Sequence, residues 1–232
     1  DGSVVDVEVA ASPFRDLAGT SLQVILRDIR DRKHAERRLN LLAETAGELL
    51  ATDSPQEIVD SLCRKVMEHL DCHAFLNFLV DPEKHCLHLN ACSGIPEEEA
   101  RKIEWLDYGV AVCGCVARDG CRIVAEDIFH KPDPPTELVK SYGIQAYACH
   151  PLIVQGKVLG TLSFGTRNRA HFTTDELSLM KAVADQVAIA MERKRNQEAL
   201  QQANAELEGR VAERTREVRE KSRFLEAFFH HS

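Results

Sequence analysis

Four cysteines, a tyrosine and a histidine are the side chains most able to do chemistry in this chain. Cys113-Gly114-Cys115 and Cys121 fall within nine residues of one another, and Tyr147-x-Cys149-His150 follows in an apolar, alternating run. Soft thiolates suit an iron–sulfur cluster or zinc, and a cysteine or histidine can act as an axial haem ligand. Two neighbouring thiols can also form a redox-sensing pair. The spacing speaks against full convergence. On a helix, positions 113 and 115 stand about 200° apart. On a strand, Cys149 and His150 point to opposite faces. No Cys-x-x-Cys pair occurs among the eight cysteines, and a free cysteine packs well as a small buried hydrophobe. Core thiols are therefore the first expectation. Cys113, Cys115, Cys121, Cys149 and His150 remain the metal or redox candidates, and Cys113, Cys115, Cys121, Tyr147, Cys149 and His150 the candidate ligand-binding set. The cofactor is left open: none is the first expectation, haem or iron–sulfur the alternative. The chain shows no secretory signal, so a disulfide framework is not expected.

The elements that must position these residues are legible. Ile144–Val154 and Val158–Phe164 alternate with period two around Gln155-Gly156, the pattern of an antiparallel hairpin. Thr173 and Glu176 form a capping box at the head of a helix with apolar residues at Leu177, Met180, Val183, Ala184, Val187, Ala190 and Met191. Ser54-Pro55-Gln56-Glu57 is another helix start, followed by the stripe Ile58, Leu62, Val66 and Leu70. Two strands are expected at Ala74–Val80 and His85–Ala91, joined through Asp81-Pro82-Glu83-Lys84, and a short acidic helix at Pro96–Ile103.

The totals narrow the function classes. The chain has 232 residues, a net charge of −8 and 44% hydrophobic residues, as in an ordinary globular protein with room for a sizeable core. No broad cationic face for nucleic acid or anionic lipid is expected, and the basic runs Arg30–Lys33 and Arg193–Arg195 read as solvated helix faces. No apolar stretch reaches the roughly 18 residues of a membrane span, so a cytoplasmic segment is expected. Neither a glycine-rich phosphate loop nor a GxSxG elbow, HExxH or kinase ATP motif is present.

At these residues the chain resembles a GAF domain, a small-molecule and light-sensing module of bacterial signalling proteins. The resemblance rests on Ser54-Pro55-Gln56-Glu57, Gly109-Val110-x-x-x-Gly114, Gly120, Val124-x-Glu126-Asp127 and Ile144-x-x-Tyr147 leading to Pro151-Leu152. It continues through Gly156-x-Val158-x-Gly160-x-Leu162, Phe172-Thr173-x-x-Glu176-Leu177 and Ala184-x-Gln186-x-Ala188-x-Ala190. It implies an α+β fold, an antiparallel sheet flanked by helices, with the ligand held between the sheet and the elements covering it. Cys149-His150 is similar to the bilin-attaching pair of phytochrome-like GAF domains, but it precedes Pro151 in an expected strand, against attachment. Asn168-Arg169, Phe172 and Asp175-Glu176 resemble the cyclic-nucleotide motif of other GAF domains. Here arginine replaces lysine, only two residues separate Phe172 from Asp175, and helix capping accounts for Thr173 and Glu176. An enzyme on this fold, such as a methionine-sulfoxide reductase, needs a reactive cysteine in a positive, partly exposed setting, and only Arg118 and Arg122 lie near the cluster in sequence.

The flanks complete the expected organisation. Residues 1–30, with strands at Val4–Ala10 and Leu22–Asp28 joined by a loop holding Pro13 and Gly19, resemble the closing hairpin of a PAS domain, truncated. Residues 31–50 form a linker helix with Ala35, Leu39, Leu42, Ala46 and Leu49 on one seam. The GAF domain spans 41–195. Residues 196–223 resemble the coiled-coil signalling helix of bacterial histidine kinases, and 224–232 the start of a further, truncated PAS domain. A parallel homodimer is expected through Leu39, Leu200, Leu207, Val211, Val218 and Leu225. The implied function is the sensory segment of a sensor histidine kinase, itself non-catalytic. Its GAF pocket would sense a small ligand or redox state, and a kinase core outside this segment would act on a response regulator. The alternative is a ligand-free GAF scaffold that serves as a spacer.

Overall fold

The computed structural model describes residues 7–16, 19–29, 55–131 and 133–229. Strands β1 (Val7–Asp16) and β2 (Gly19–Asp28) pair antiparallel from Val7↔Asp28 to Asp16↔Gly19. Pro13 sits inside β1 opposite Leu22, where a loop was expected. A two-stranded ribbon has a free edge, so a residue without an N–H costs no ladder bond when that position faces outward. Val7, Val9, Val24, Ile25 and Leu26 of this hairpin are exposed.

Helix α1 (Pro55–Leu70) begins at the expected proline and leads to β3 (Ala74–Asp81) and β4 (Cys86–Ser93). Asp81 makes the turn between them, its Oδ1 accepting the N–H groups of Glu83 (2.9 Å) and Lys84 (3.0 Å). Short pieces follow: α2 (Glu97–Lys102), β5 (Trp105–Asp107), α3 (Ala111–Asp119), β6 (Ile123–Ala125), a 3₁₀ turn at Pro134–Thr136 and α4 (Glu137–Ser141). Strands β7 (Ala146–Val154) and β8 (Lys157–Thr166) form the expected hairpin, and α5 runs unbroken from Thr174 to Phe229. At the hairpin tip Gln155 and Gly156 both have positive φ, 51° and 78°, as a two-residue turn matched to strand twist requires.

The sheet is antiparallel throughout, in the order β5-β4-β3-β8-β7-β6. Its centre is tight: a Cβ on Gly160 of β8 would lie 2.1 Å from the Phe78 carbonyl oxygen of β3. Alternation along the strands makes two cores. On one face Phe75, Ala146, Ala148, Leu152, Leu162 and Phe164 meet α1 (Val59, Leu62, Cys63, Val66) and α5 (Leu179, Met180, Val183, Ala184, Val187). On the other, Leu76, Phe78, Leu87, Tyr147 and Cys149 meet α3 (Val112, Cys113, Val116) and the loops carrying Ile103, Ile128 and Ile144.

Helix α5 therefore does two things. Its first four turns wall one core, secured by the capping box: Glu176 N–H donates to Thr173 Oγ1 (3.2 Å) and Thr173 N–H to Glu176 Oε2 (2.7 Å). Beyond Ala188 it carries Leu200, Leu207, Val211 and Val218 exposed. The expected boundary at 195 is continuous helix.

Candidate functional site

On the α3 face of the sheet, a small polar knot lies inside otherwise apolar packing. Alternation on β7 turns Tyr147 and Cys149 to this face, and the pairs Cys149↔Ser163 and Pro151↔Thr161 bring the hydroxyls of β8 beside them. Helix α3 lays Cys113 over the top. Ser163 O–H donates to the Leu76 carbonyl (2.9 Å), so its oxygen can accept from Tyr147 O–H at 2.6 Å. The Tyr147 oxygen lies 3.3 Å from Cys113 Sγ, and Cys149 S–H donates to Cys113 Sγ at 3.8 Å. One directed chain therefore runs Cys149, Cys113, Tyr147, Ser163, Leu76 carbonyl, its polarity fixed by the carbonyl, which can only accept.

Burial is nearly complete: Cys149 is 0%, Tyr147 1% and Cys113 3% exposed. The two thiols are not equivalent. The hydrogen bond from Cys149 holds the Cys113 thiol below the usual cysteine value; burial opposes this, and Tyr147 and Ser163 add to the lowering. Burial above all raises Cys149 well above its ordinary value, and Tyr147 likewise. Of the pair, Cys113 is the one to ionise first.

The other candidates are elsewhere. Cys115, across the wheel of α3, donates to the Gly109 carbonyl at 3.3 Å. Cys121 is exposed. His150 faces the opposite core, under α5, 2% exposed and with neither ring nitrogen hydrogen-bonded. The structure thus gathers Cys113, Tyr147 and Cys149 from the ligand-binding set and separates Cys115, Cys121 and His150 from them. Among the described residues no group of three or more His, Cys, Asp or Glu side chains converges as a metal site. The residues that meet here do not fit an iron–sulfur cluster, which takes four ligands. Ser163 and Thr161 were missed in the sequence, although their signal is there: two hydroxyls at period two in a run that is otherwise apolar.

The residues resembling a nucleotide motif serve the scaffold. Arg169 pairs with Glu176 (2.6 Å) and donates to the Leu70 carbonyl, and its guanidinium lies 5.5 Å from the Phe172 ring. Glu126 accepts the Phe172 N–H at 3.0 Å. A cavity of about 450 Å³ opens away from the knot, lined by Leu79, Val158, Leu159, Met191, Lys194 and Arg195 among others. Of the expected seam, Leu200, Leu207, Val211 and Val218 are exposed on α5; Leu39 and the side chain of Leu225 lie outside the described residues. No helix among the described residues is long and apolar enough to cross a membrane.

Comparison with known proteins agrees with this architecture. The sequence model of the GAF domain family matches residues 54–191. No curated protein matches. Among solved structures, the GAF domain of a phosphoenolpyruvate-protein phosphotransferase from Coxiella burnetii is similar at 22% identity and a TM-score of 0.61, covering 71% of this chain and 98% of that one. The free methionine-R-sulfoxide reductase of Neisseria meningitidis, solved with its substrate, is similar at 18% identity and a TM-score of 0.60, covering 71% and 93%. A domain of a putative two-component sensor histidine kinase from Sinorhizobium meliloti matches at 20% identity and a TM-score of 0.51, covering 63% and 96%. At these identities the structures speak for the fold alone, whereas the family match spans more than half of the chain. The chain belongs to the GAF domain family.

Proposed function

We propose that this chain is a sensory relay module of a two-component sensor histidine kinase, cytoplasmic and working as a parallel homodimer. The observation that carries the reading is the double duty of α5. Met180, Val183, Ala184 and Val187 are built into the domain core, and the same unbroken helix then presents Leu200, Leu207, Val211 and Val218 to solvent. The last four are spaced seven, four and seven residues apart, a heptad seam. A helix so polar elsewhere has too little apolar surface to be stable alone, so the seam calls for a second copy. A change beneath α3 reaches α5 through the sheet, and the paired helices hand it to a kinase core and so to a response regulator. Residues 1–30 and 224–232 belong in this reading to neighbouring PAS domains, with 31–50 as a linker helix. We assign the segment no catalysis, since the thiols that meet in the core are buried rather than poised at a surface.

Light scattering on the purified chain tests the pairing. The wild type is expected at twice the monomer mass and Leu207→Asp/Val211→Asp at the monomer mass, with the sheet intact by circular dichroism. A wild-type monomer at tens of micromolar sinks the reading.

The filled α3-side core favours one second reading, a ligand-free scaffold that spaces and dimerises its neighbours. Val116→Ala, which opens a void under α3, separates the two. A relay shows altered hydrogen exchange in residues 196–223, while a scaffold keeps the change within 55–191.

A further inference from the structure

We propose that Cys113 and Cys149 are a redox dithiol, oxidised by hydrogen peroxide or a comparably small hydroperoxide to a disulfide that staples α3 to strand β7 of the sheet. Their sulfurs are 3.8 Å apart, against about 2.05 Å in a disulfide, so closing the bond needs less than 2 Å of combined movement. They come from two elements, a nine-residue helix and an inner strand, and the movement falls to the helix. Strand β7 is bonded on both sides, to β6 and β8. Helix α3 starts without a side-chain cap, on Ala111 at φ 51°, a left-handed conformation that costs a non-glycine residue about 1 kcal/mol. It is the less firmly held partner.

Four of the other six cysteines lie apart from this pair. Cys115 is bonded to the Gly109 carbonyl on the far side of α3, Cys121 is exposed, and Cys63 and Cys72 belong to the core on the opposite face of the sheet. The hydroxyl oxygens of Tyr147 and Ser163 complete the site, 3.3 and 3.8 Å from Cys113 Sγ.

The chemistry balances in two steps. The Cys113 thiolate attacks one peroxide oxygen, the O–O bond breaks, and Cys113 becomes a sulfenic acid while hydroxide leaves and takes up a proton as water. The Cys149 sulfur then attacks the sulfenic sulfur; the S–S bond forms, the S–O bond breaks, and the departing hydroxide takes the Cys149 proton. In sum two thiols and one hydrogen peroxide give one disulfide and two waters, and a dithiol reductant reverses the change. Burial sets the selectivity: oxidant reaches the pair only when α3 lifts, which admits a small peroxide and excludes bulky disulfide oxidants. The chemistry stands independently of the relay; its signalling consequence rests on the relay reading.

The test uses the full chain, folded, treated with hydrogen peroxide, alkylated and mapped by mass spectrometry. The expected product is a Cys113–Cys149 linked peptide lacking two hydrogens, restored by dithiothreitol. Closing a loop of this length raises the melting temperature by roughly 8–15 °C. Cys113→Ser and Cys149→Ser each remove the link, whereas Cys121→Ser retains it. Because the wild-type map needs no variant, a folding failure in one does not decide the outcome. Oxidation confined to Cys121, or sulfinic acid at Cys113 with no link, overturns the proposal. A link that forms while hydrogen exchange in 196–223 is unchanged upholds the dithiol and refutes the relay.

Discussion

His150 should make this domain lose stability in mild acid, and its variant should not. The ring is packed under α5 with both nitrogens unpaired. Burial is the first cause that lowers its pKa, from the ordinary 6.5 to about 4; Arg122 and Lys181 add to it, while Asp185 and the nearby Leu177 backbone, which makes no formed hydrogen bond to the ring, oppose it. The folded value lies below the unfolded one, so the unfolded chain binds more protons between the two. Stability is full above pH 6.5 and is lost as pH falls towards 4. Between pH 7.5 and pH 5 this single ring removes about 2 kcal/mol, and about 3 kcal/mol once the pH is below both values. Urea unfolding followed by the fluorescence of the sole tryptophan, Trp105 on β5, reads the globular part directly. Other histidines titrate in the same window, so the quantity to compare is the difference between wild type and His150→Leu. The variant replaces two orphaned nitrogens with aliphatic surface, so at pH 7.5 it should be at least as stable as wild type. At pH 5 it should exceed wild type by about 2 kcal/mol more than it does at pH 7.5. Equal pH dependence in the two proteins would refute the reasoning.

Two further substitutions test the scaffold. Thr173→Ala removes the acceptor for the Glu176 N–H and should cost about 1 kcal/mol in urea unfolding; no loss would mean the capping box is idle. Gly160→Ala places a Cβ 2.1 Å from the Phe78 carbonyl, forcing β3 and β8 apart. It should cost about 2 kcal/mol or more, seen as a lower urea midpoint, and a neutral result would mean that this strand pair is looser than described.

What was legible in the sequence is what local rules decide. The β7–β8 hairpin, the capping box at Thr173, the start of α1 at Pro55 and the opposite orientation of Cys149 and His150 all follow from periodicity and turn chemistry, and all were found where expected. Pro13 was misjudged because a proline argues against a strand only when its missing N–H must face a neighbour. The knot was half legible for a related reason. Period two placed Tyr147 and Cys149 on one face, but that Cys113 covers them depends on how α3 docks, and that Ser163 and Thr161 lie beneath depends on the β7–β8 register. Both are long-range facts, 50 residues separating Cys113 from Ser163. Cys113 and Cys115 are neighbours in the sequence that point apart, because a short helix spreads alternate residues around its circumference, whereas Cys149, 36 residues away, lies against Cys113.

The two chemically distinct sites meet on one strand. Consecutive residues of β7 send Cys149 into the knot beneath α3 and His150 into the core beneath α5, so β7 is one direct link between the two faces. The movement needed to join Cys113 to Cys149, under 2 Å, is the size of the 1–2 Å helix shifts that switching proteins use. Helix α5 rests on Ala148 and Leu152 of that strand through Met180, Val183, Ala184 and Val187, then leaves the sheet as a rigid rod with its apolar seam outward. On the relay reading, a tilt imposed at the sheet is carried along the helix, since no break separates the packed turns from the exposed ones. On the relay reading proposed above, protonation of His150 acts on the same helix from the other side of the strand.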